Sequence, residues 1–114
     1  MNLIFKKIES QILSYPVLIY MKGSPNSPSC GFSAQAIKIL STCIKNFKYI
    51  DVLKNTDIRK SLPHYAKWPT FPQLWVNGKL IGGCDIMLEM FRKGTLQEII
   101  RNAVEKKNKK INKI

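Results

Sequence analysis

The chain has 114 residues, 45% of them apolar, and a formal net charge of +12 at pH 7, which suits one small domain with a single packed core. Its longest apolar run, PVLIYM at 16–21, is far shorter than the roughly 20 residues that span a bilayer. The start, MNLIFKKIES, lacks the apolar core and cleavage site of a secretory signal, so we expect a cytoplasmic protein.

Helices and strands alternate through the first half of the chain. Tyr15-Pro16 ends a first helix, whose apolar face repeats every three to four residues. PVLIYM follows as a buried strand, and KGSPNSPS, rich in proline and serine, is expected to be a loop. Helical periodicity then resumes, and KYIDVL is a second strand. The residues that mark the apolar faces are Ile4, Phe5, Ile8 and Ile12 in the first helix, and Phe32, Ala36, Ile39, Leu40 and Cys43 in the second.

The second half begins with a third helix and a β-hairpin. NTDIRKSLPHYAKW predicts a helix that begins at Asn55 or Thr56 and is disturbed near Pro63. Two apolar runs then flank Asn77-Gly78, the pair that suits a type I′ turn. The segment FPQLWVNGKLIGG is therefore predicted to form two antiparallel strands.

Two further helices follow the hairpin. Asp85 is expected to cap a helix that ends at Gly94. Thr95, with Glu98 three residues on, resembles a capping box for the next helix. The predicted order is α-β-α-β-α-β-β-α-α. A β-α-β start with a hairpin finish indicates an α/β fold, a four-stranded mixed sheet flanked by helices on both faces.

The C-terminal segment is strongly basic. RNAVEKKNKKINKI has a net charge of +5, and we expect a solvated helix end and a frayed terminus. We predict a single domain over residues 1–105 and a basic tail over residues 106–114. The charge also raises nucleic-acid binding as an alternative function. We discount it because 16 of the 19 basic residues are lysine, whereas base and phosphate recognition relies on arginine.

The chain has three cysteines, Cys30, Cys43 and Cys84, which cannot all pair and are not spaced as zinc ligands. This favours a reducing compartment, with at least one thiol kept for chemistry. Cys43 shares the apolar face of the second helix, so we expect it to pack in the core. For Cys84, packing, capping of a helix start and service as a second thiol are all open. The lone His64 is expected to be a solvated helix residue and not a metal ligand.

Cys30 lies in PSCGFS, where a proline- and serine-rich loop leads into the second helix. The unpaired N–H groups and the positive dipole at a helix N-terminus favour a thiolate over a thiol. Lys22, at the end of the first strand, adds a positive charge. The alternative, an inert buried cysteine, fits such a loop poorly. Because Ser33 holds the position of a second cysteine, Cys30 cannot close a disulfide within the motif.

Three motifs carry a resemblance to a known family. CGFS at 30–33, WPTFPQL at 68–74 and GGCDI at 82–86, in this order on compatible elements, resemble the monothiol, CGFS-type glutaredoxins. The resemblance runs from about Ile4 to Val104, and the order of elements is similar to the thioredoxin fold. It implies a thioredoxin-like fold, glutathione as a bound cofactor, and the CGFS cysteine as the catalytic residue.

The resemblance also implies a glutathione site built from these motifs. Lys22 and Arg59 are the cations suited to the glycine carboxylate. In Thr70-Phe71-Pro72, a cis peptide bond before Pro72 turns the backbone of Phe71 toward the cysteinyl part of glutathione, which pairs with it as an added strand would. The alternatives are plainer, with Lys22 as one of many surface lysines and Arg59 as a charge on a helix surface.

The GGCD motif supplies the other end of this implied site. The backbone N–H groups of Cys84 and Asp85, which follow Gly83 at a helix start, are suited to the γ-glutamyl carboxylate. The Asp85 carboxylate is suited to the ammonium group, although Asp85 has a simple N-cap as its alternative role. Trp68 and Trp75 are expected to pack, with Trp68 at the rim of the site.

One Cys30 gives one thiolate per chain, whereas a 2Fe-2S cluster takes four. The resemblance implies that two Cys30 thiolates and two glutathiones hold the cluster across a homodimer, which passes it to apo iron-sulfur acceptor proteins. It also implies BolA-type partners, which can replace one protomer. The alternative within the fold is a glutathione-dependent thiol-disulfide oxidoreductase, which removes glutathione from other proteins.

Overall fold

Every predicted helix and every strand of the predicted sheet is present in the computed structural model, which describes residues 2–112 and the side chains of residues 2–107. The helices are α1 (Leu3–Ser14), α2 (Gly31–Cys43), α3 (Thr56–Ala66), α4 (Cys84–Lys93) and α5 (Thr95–Asn112). The strands are β1 (Val17–Met21), β2 (Gly23–Ser24), β3 (Ser27–Pro28), β4 (Lys48–Asp51), β5 (Gln73–Val76) and β6 (Lys79–Gly82).

Strand β1 lies inside a four-stranded sheet of order β4-β1-β5-β6. It runs parallel to β4 and antiparallel to β5, so the sheet is mixed, as predicted. The β5–β6 hairpin turns at Asn77 and Gly78, whose φ angles of 52° and 80° suit the predicted type I′ turn. Asn77 also donates its backbone N–H to the carbonyl of Pro16 (2.8 Å), which ties the turn to the start of β1.

The two faces of the sheet carry separate apolar clusters. Successive side chains of a strand point to opposite faces. Ile19 therefore packs on one side with α2, α4 and α5, while Leu18 and Tyr20 pack on the other with α1 and α3. Every residue of β1 is buried. The prediction of helices on both faces of the sheet is confirmed.

The topology gathers the three sequence motifs at one end of the sheet. Strand β1 ends there and leads into Lys22, whose backbone N–H bonds to a side chain in the first turn of α2. Because β5 runs antiparallel to β1, and β6 to β5, the start of β5 and the end of β6 lie at the same end. Helix α4 follows β6 directly. The three motifs therefore meet at this end of the sheet.

The segment 22–29, predicted to be a loop, contains a short ribbon. Strands β2 and β3 pair antiparallel, with Gly23 opposite Pro28. Gly23 has a φ of 89°, and a Cβ at this position would lie 2.5 Å from the carbonyl oxygen of Ser27. Only glycine fits this turn without displacing the backbone. The strands are two residues each, too short for an alternating pattern to reveal them.

Helix α2 buries the predicted face with one exception. Ala36, Ile39 and Leu40 lie in the core, and Cys43 packs against the same cluster. Phe32, predicted to share this face, is instead 64% exposed. The reason is that the first turn of α2 borders a cavity and not the core. Periodicity identified the apolar face correctly but not the point at which it leaves the core.

The last two helices begin differently from the predictions. Gly83, and not Asp85, is the N-cap of α4, which starts at Cys84. Thr95 donates its hydroxyl to the carbonyl of Met90 (3.2 Å) and so does not act as the predicted capping box. In both places a glycine precedes the helix, so Asp85 and Thr95 lie inside it and not at the N-cap position. A residue inside the helix does not have the extended backbone from which an N-cap side chain accepts a first-turn N–H.

Helix α5 runs without a break through residue 105, where the sequence predicts the start of a basic tail. Residues 106–112 continue the helix, and residues 113–114 lie outside the described part of the chain. Lys106 and Lys107 are exposed, as expected for a solvated helix end. Between residues 2 and 112 no helix combines the length and the apolar character needed to cross a membrane.

Candidate functional site

A cavity of about 600 Å³ opens at the end of the sheet where the three motifs meet. Its walls contain every residue that was predicted to contact glutathione. Phe32, Pro63 and Trp68 complete much of the remaining surface. The predicted residues in the wall are Lys22, Arg59, Thr70, Phe71, Pro72, Gly83, Cys84 and Asp85. Residues from five separate stretches of the sequence are thus brought together at one concave surface.

Cys30 is the N-cap of α2 and lies beside this cavity, not in its wall. Its Sγ accepts the backbone N–H of Ser33 at 3.3 Å. Burial raises the pKa of the Cys30 thiol, but hydrogen bonds from the hydroxyl and backbone N–H of Ser33, and the charge of Lys22, outweigh it. The pKa of Cys30 therefore lies below its ordinary value, as expected for a thiolate at a helix N-terminus.

Ser33 does more than hold the position of a second cysteine. It is fully buried, and its hydroxyl oxygen accepts the backbone N–H of Lys22 at 3.1 Å. The carbonyl of Lys22 in turn accepts the backbone N–H of Ser29 (2.9 Å). Ser33 thus connects the end of β1 to Cys30. Sequence reasoning missed this role, although a serine on an otherwise apolar helix face is the signal that could have indicated it.

The loop before β5 has the cis peptide bond, between Phe71 and Pro72, that the family resemblance implies. A buried residue that sequence reasoning missed, Gln73, holds this loop. Its side-chain NH₂ donates to the carbonyls of Trp68 (3.0 Å) and Thr70 (3.3 Å). Its side-chain oxygen accepts the indole N–H of the buried Trp75 at 3.2 Å. The available signal was a glutamine in an otherwise apolar strand, QLWV.

The GGCD segment packs closely against this loop. A Cβ on Gly83 would lie 3.3 Å from the carbonyl oxygen of Pro72, so a side chain there would press on the cis-proline loop. The backbone N–H of Met87, in the first turn of α4, donates to the carbonyl of the N-cap residue Gly83. The N–H groups of Cys84 and Asp85 therefore have no partner within the helix, as is general for a first turn. Because Gly83 is the N-cap, Asp85 is not needed for capping.

The side chain of Cys84 is buried and hydrogen-bonded. It is 6% exposed, and its thiol donates to the side-chain oxygen of Gln35 at 3.3 Å. Burial, together with the negative charges of Asp85 and Cys30, raises the pKa of the Cys84 thiol. Cys84 is thus a packed, hydrogen-bonded thiol that stays protonated at neutral pH. Of the roles left open by the sequence, packing is the one that this environment favours.

The donor set for a metal at this site is small. Among the described residues there is no group of three or more His, Cys, Asp or Glu that could hold a metal ion. His64 is exposed on α3, as predicted. Cys30 is the cysteine whose environment favours a thiolate, the ligand that iron-sulfur clusters take. One chain therefore suits a cluster only if other thiolates complete the coordination.

Comparison with known proteins gives consistent matches. The family model for glutaredoxin matches residues 17–81. Glutaredoxin 4 from Buchnera aphidicola subsp. Baizongia pistaciae is 67% identical over 100 residues, 88% of this chain and 93% of that protein. Glutaredoxin 4 from Escherichia coli K12 is 56% identical over 106 residues, 93% of this chain and 92% of that protein. The solution structure of reduced poplar apo GrxS14 superposes with a TM-score of 0.74 at 37% identity, and covers 87% of this chain and 91% of that one.

Proposed function

The chain belongs to the glutaredoxin family, and on that premise we propose that it is a monothiol glutaredoxin that binds glutathione and carries a 2Fe-2S cluster. The cluster would be shared across a homodimer and passed to apo iron-sulfur proteins. One observation carries the proposal. A single cysteine with a lowered pKa, Cys30, lies beside a cavity of about 600 Å³ whose wall contains two cations, Lys22 and Arg59, and the first turn of α4.

The charges around the cavity suit the ends of glutathione. Lys22 and Arg59 can bind the glycine carboxylate through charge-assisted hydrogen bonds. The unpaired N–H groups of Cys84 and Asp85 at the start of α4 can bind the γ-glutamyl carboxylate, and the Asp85 carboxylate can accept from the ammonium group. The backbone of Phe71, which also lines the cavity, can pair with the middle of the tripeptide. The glutathione thiol would then lie near Cys30.

The cluster proposal follows from counting thiolates. A 2Fe-2S cluster takes four, Ser33 offers none, and Cys84 is buried and protonated. Two Cys30 thiolates and the thiolates of two bound glutathiones complete the set, which requires two chains. A BolA-type protein can take the place of one chain. We propose that this function is carried out in the cytoplasm; three free cysteines suit a reducing compartment.

Anaerobic reconstitution with iron, sulfide and glutathione tests this proposal. The reconstituted protein should be brown and should elute from a sizing column at twice the mass of the apo chain. Removal of glutathione should bleach it, because half of the cluster ligands would be lost. A colourless monomer after reconstitution would contradict the proposal, whether or not the protein binds glutathione.

The lowered pKa of Cys30 also favours a second function, glutathione-dependent thiol-disulfide exchange. The Cys30 thiolate would attack the glutathione sulfur of a glutathionylated protein, forming a Cys30–glutathione disulfide and releasing the protein thiolate. The thiolate of a second glutathione would then attack that disulfide, releasing oxidised glutathione and restoring Cys30. Rapid release of glutathione from a glutathionylated peptide, by protein that takes up no cluster, would favour this function over cluster transfer.

A further inference from the structure

The two cations of the proposed glutathione site come from different parts of the fold. Lys22 follows β1, and Arg59 lies in α3; both line the cavity. Among the described side chains neither of them forms an ion pair. Two long, flexible, like-charged side chains bind one carboxylate at a lower entropic cost when their backbones are already held at a suitable separation. A group that contacts both segments would fix that separation.

Asp51, the last residue of β4, contacts the backbone next to Lys22. Its side-chain oxygen Oδ1 accepts the backbone N–H of Gly23 at 3.0 Å and that of Leu53 at 2.9 Å. Gly23 directly follows Lys22 and lies in the tight turn that only glycine fits. The carboxylate of Asp51 thus holds the backbone next to Lys22 against the end of β4.

The backbone of Asp51 contacts the start of α3, the helix that contains Arg59. Its carbonyl accepts the side-chain NH₂ of Asn55 at 2.8 Å. Asn55 is the N-cap of α3, but its side chain does not cap that helix, so it is free for this bond. The carbonyl of Asn55 accepts the backbone N–H of Arg59 at 3.0 Å. A continuous series of hydrogen bonds therefore runs from the backbone beside Lys22, through Asp51, to the backbone of Arg59.

We propose that Asp51 is a positioning residue that sets the spacing of Lys22 and Arg59 for the glycine carboxylate of glutathione. The inference rests on the proposed function of the site and adds a residue that lies outside the cavity wall. Asp51 does not touch the ligand. It holds the two cation-bearing segments in place before the ligand arrives, so that glutathione does not have to order them on binding.

The test measures binding of two ligands to the apo protein by calorimetry. The first is glutathione, and the second is glutathione monoethyl ester, whose glycine carboxylate is blocked. Asp51→Ala should weaken the binding of glutathione about tenfold, because Lys22 and Arg59 lose their fixed spacing. Binding of the ester, already weaker in the wild type, should change by less than about twofold, since it does not use that spacing. Asp51→Asn retains an oxygen that accepts both N–H groups, and should bind glutathione within about threefold of the wild type.

Several outcomes would overturn the inference. An unchanged glutathione affinity in Asp51→Ala would do so, as would an equal loss for both ligands, which would indicate general damage to the site. A full loss in Asp51→Asn would assign the effect to charge and not to positioning. If circular dichroism shows that Asp51→Ala is unfolded, Asn55→Ala, which removes one bond of the series, should show the same selective loss, and equal affinities would reject the inference. A wild-type protein that binds neither ligand would instead contradict the proposed glutathione site itself.

Discussion

Two helices, α2 and α4, begin at the site, and each has a cysteine at or next to its N-cap. The pKa values of these two cysteines are shifted in opposite directions. At the start of α2, the Cys30 sulfur accepts an N–H from Ser33 and has a lowered pKa. At the start of α4, Cys84 donates its thiol to Gln35 and has a raised pKa. The presence of a helix N-terminus therefore does not decide whether a cysteine is a thiolate.

The difference in pKa comes first from the burial of Cys84, and then from the position of each cysteine at its helix start and from the charge nearby. Cys30 is the N-cap, and an N-cap side chain can accept the N–H of the residue three positions on. Cys84 is the first residue inside its helix, where its side chain receives no such bond. Lys22 lies near Cys30, whereas Asp85 follows Cys84. One helix start thus offers a sulfur ligand, and the other offers its backbone N–H groups.

The largest effect should come from exchanging the two thiols for hydroxyls. Cys30→Ser should abolish cluster binding, because a hydroxyl is a far poorer iron ligand than a thiolate. Cys84→Ser should keep the cluster nearly intact, since serine preserves the backbone N–H. The visible absorbance per chain after reconstitution measures both. Cys43→Ser is the matched control, and should keep the cluster and cost about 1 kcal/mol of stability. A cluster that survives Cys30→Ser but not Cys43→Ser would reject the ligand assignment.

The next effect concerns Lys22 and Arg59, the two cations in the wall of the cavity. Lys22→Ala and Arg59→Ala should each weaken glutathione binding by about 1–3 kcal/mol, the range for loss of a charge-assisted hydrogen bond. Calorimetric titration of the apo protein measures this. Lys60→Ala, an exposed cation beside Arg59 but outside the cavity wall, is the matched control and should bind normally. If both site variants bind as well as the wild type, the proposed carboxylate clamp is wrong.

A smaller effect should follow from removing the hydroxyl that supports the Cys30 thiolate. Ser33→Ala should raise the pKa of Cys30, since one of the hydrogen bonds that lowers it is lost. The rate of alkylation by iodoacetamide follows the thiolate fraction, so its midpoint should move to higher pH. Burial raises the pKa of Cys43 and of Cys84, so neither should compete below neutral pH. Ser41→Ala, an exposed serine on the same helix, should leave the midpoint unchanged, and an unchanged midpoint in Ser33→Ala would exclude the hydroxyl as a cause.

Local patterns in the sequence predicted the sheet and its helices, and the resemblance to the glutaredoxins implied the residues that line the cavity. The sequence did not predict which residue is the N-cap of α4, since glycine and aspartate are both acceptable there and Gly83 holds that position. Ser33 and Gln73 were missed for another reason. Their hydrogen-bond partners lie elsewhere in the sequence or in an irregular loop, and no periodicity records such contacts.

The smallest effect is expected for a reaction of the two thiols, Cys30 and Cys84, with each other. Cys84 is buried, protonated and bonded to Gln35, so it is a poor nucleophile, and we expect little Cys30–Cys84 disulfide when apo protein without glutathione is treated with diamide. Peptide mapping measures the linkage. Gln35→Ala removes the acceptor that holds the Cys84 thiol, and should increase the linked fraction if that bond is what restrains it. An abundant linkage in the wild type would make Cys84 a resolving thiol, and would favour the oxidoreductase over the cluster carrier. Cys84 could then displace glutathione from Cys30 by forming the Cys30–Cys84 disulfide, which two further glutathiones would reduce while they form oxidised glutathione.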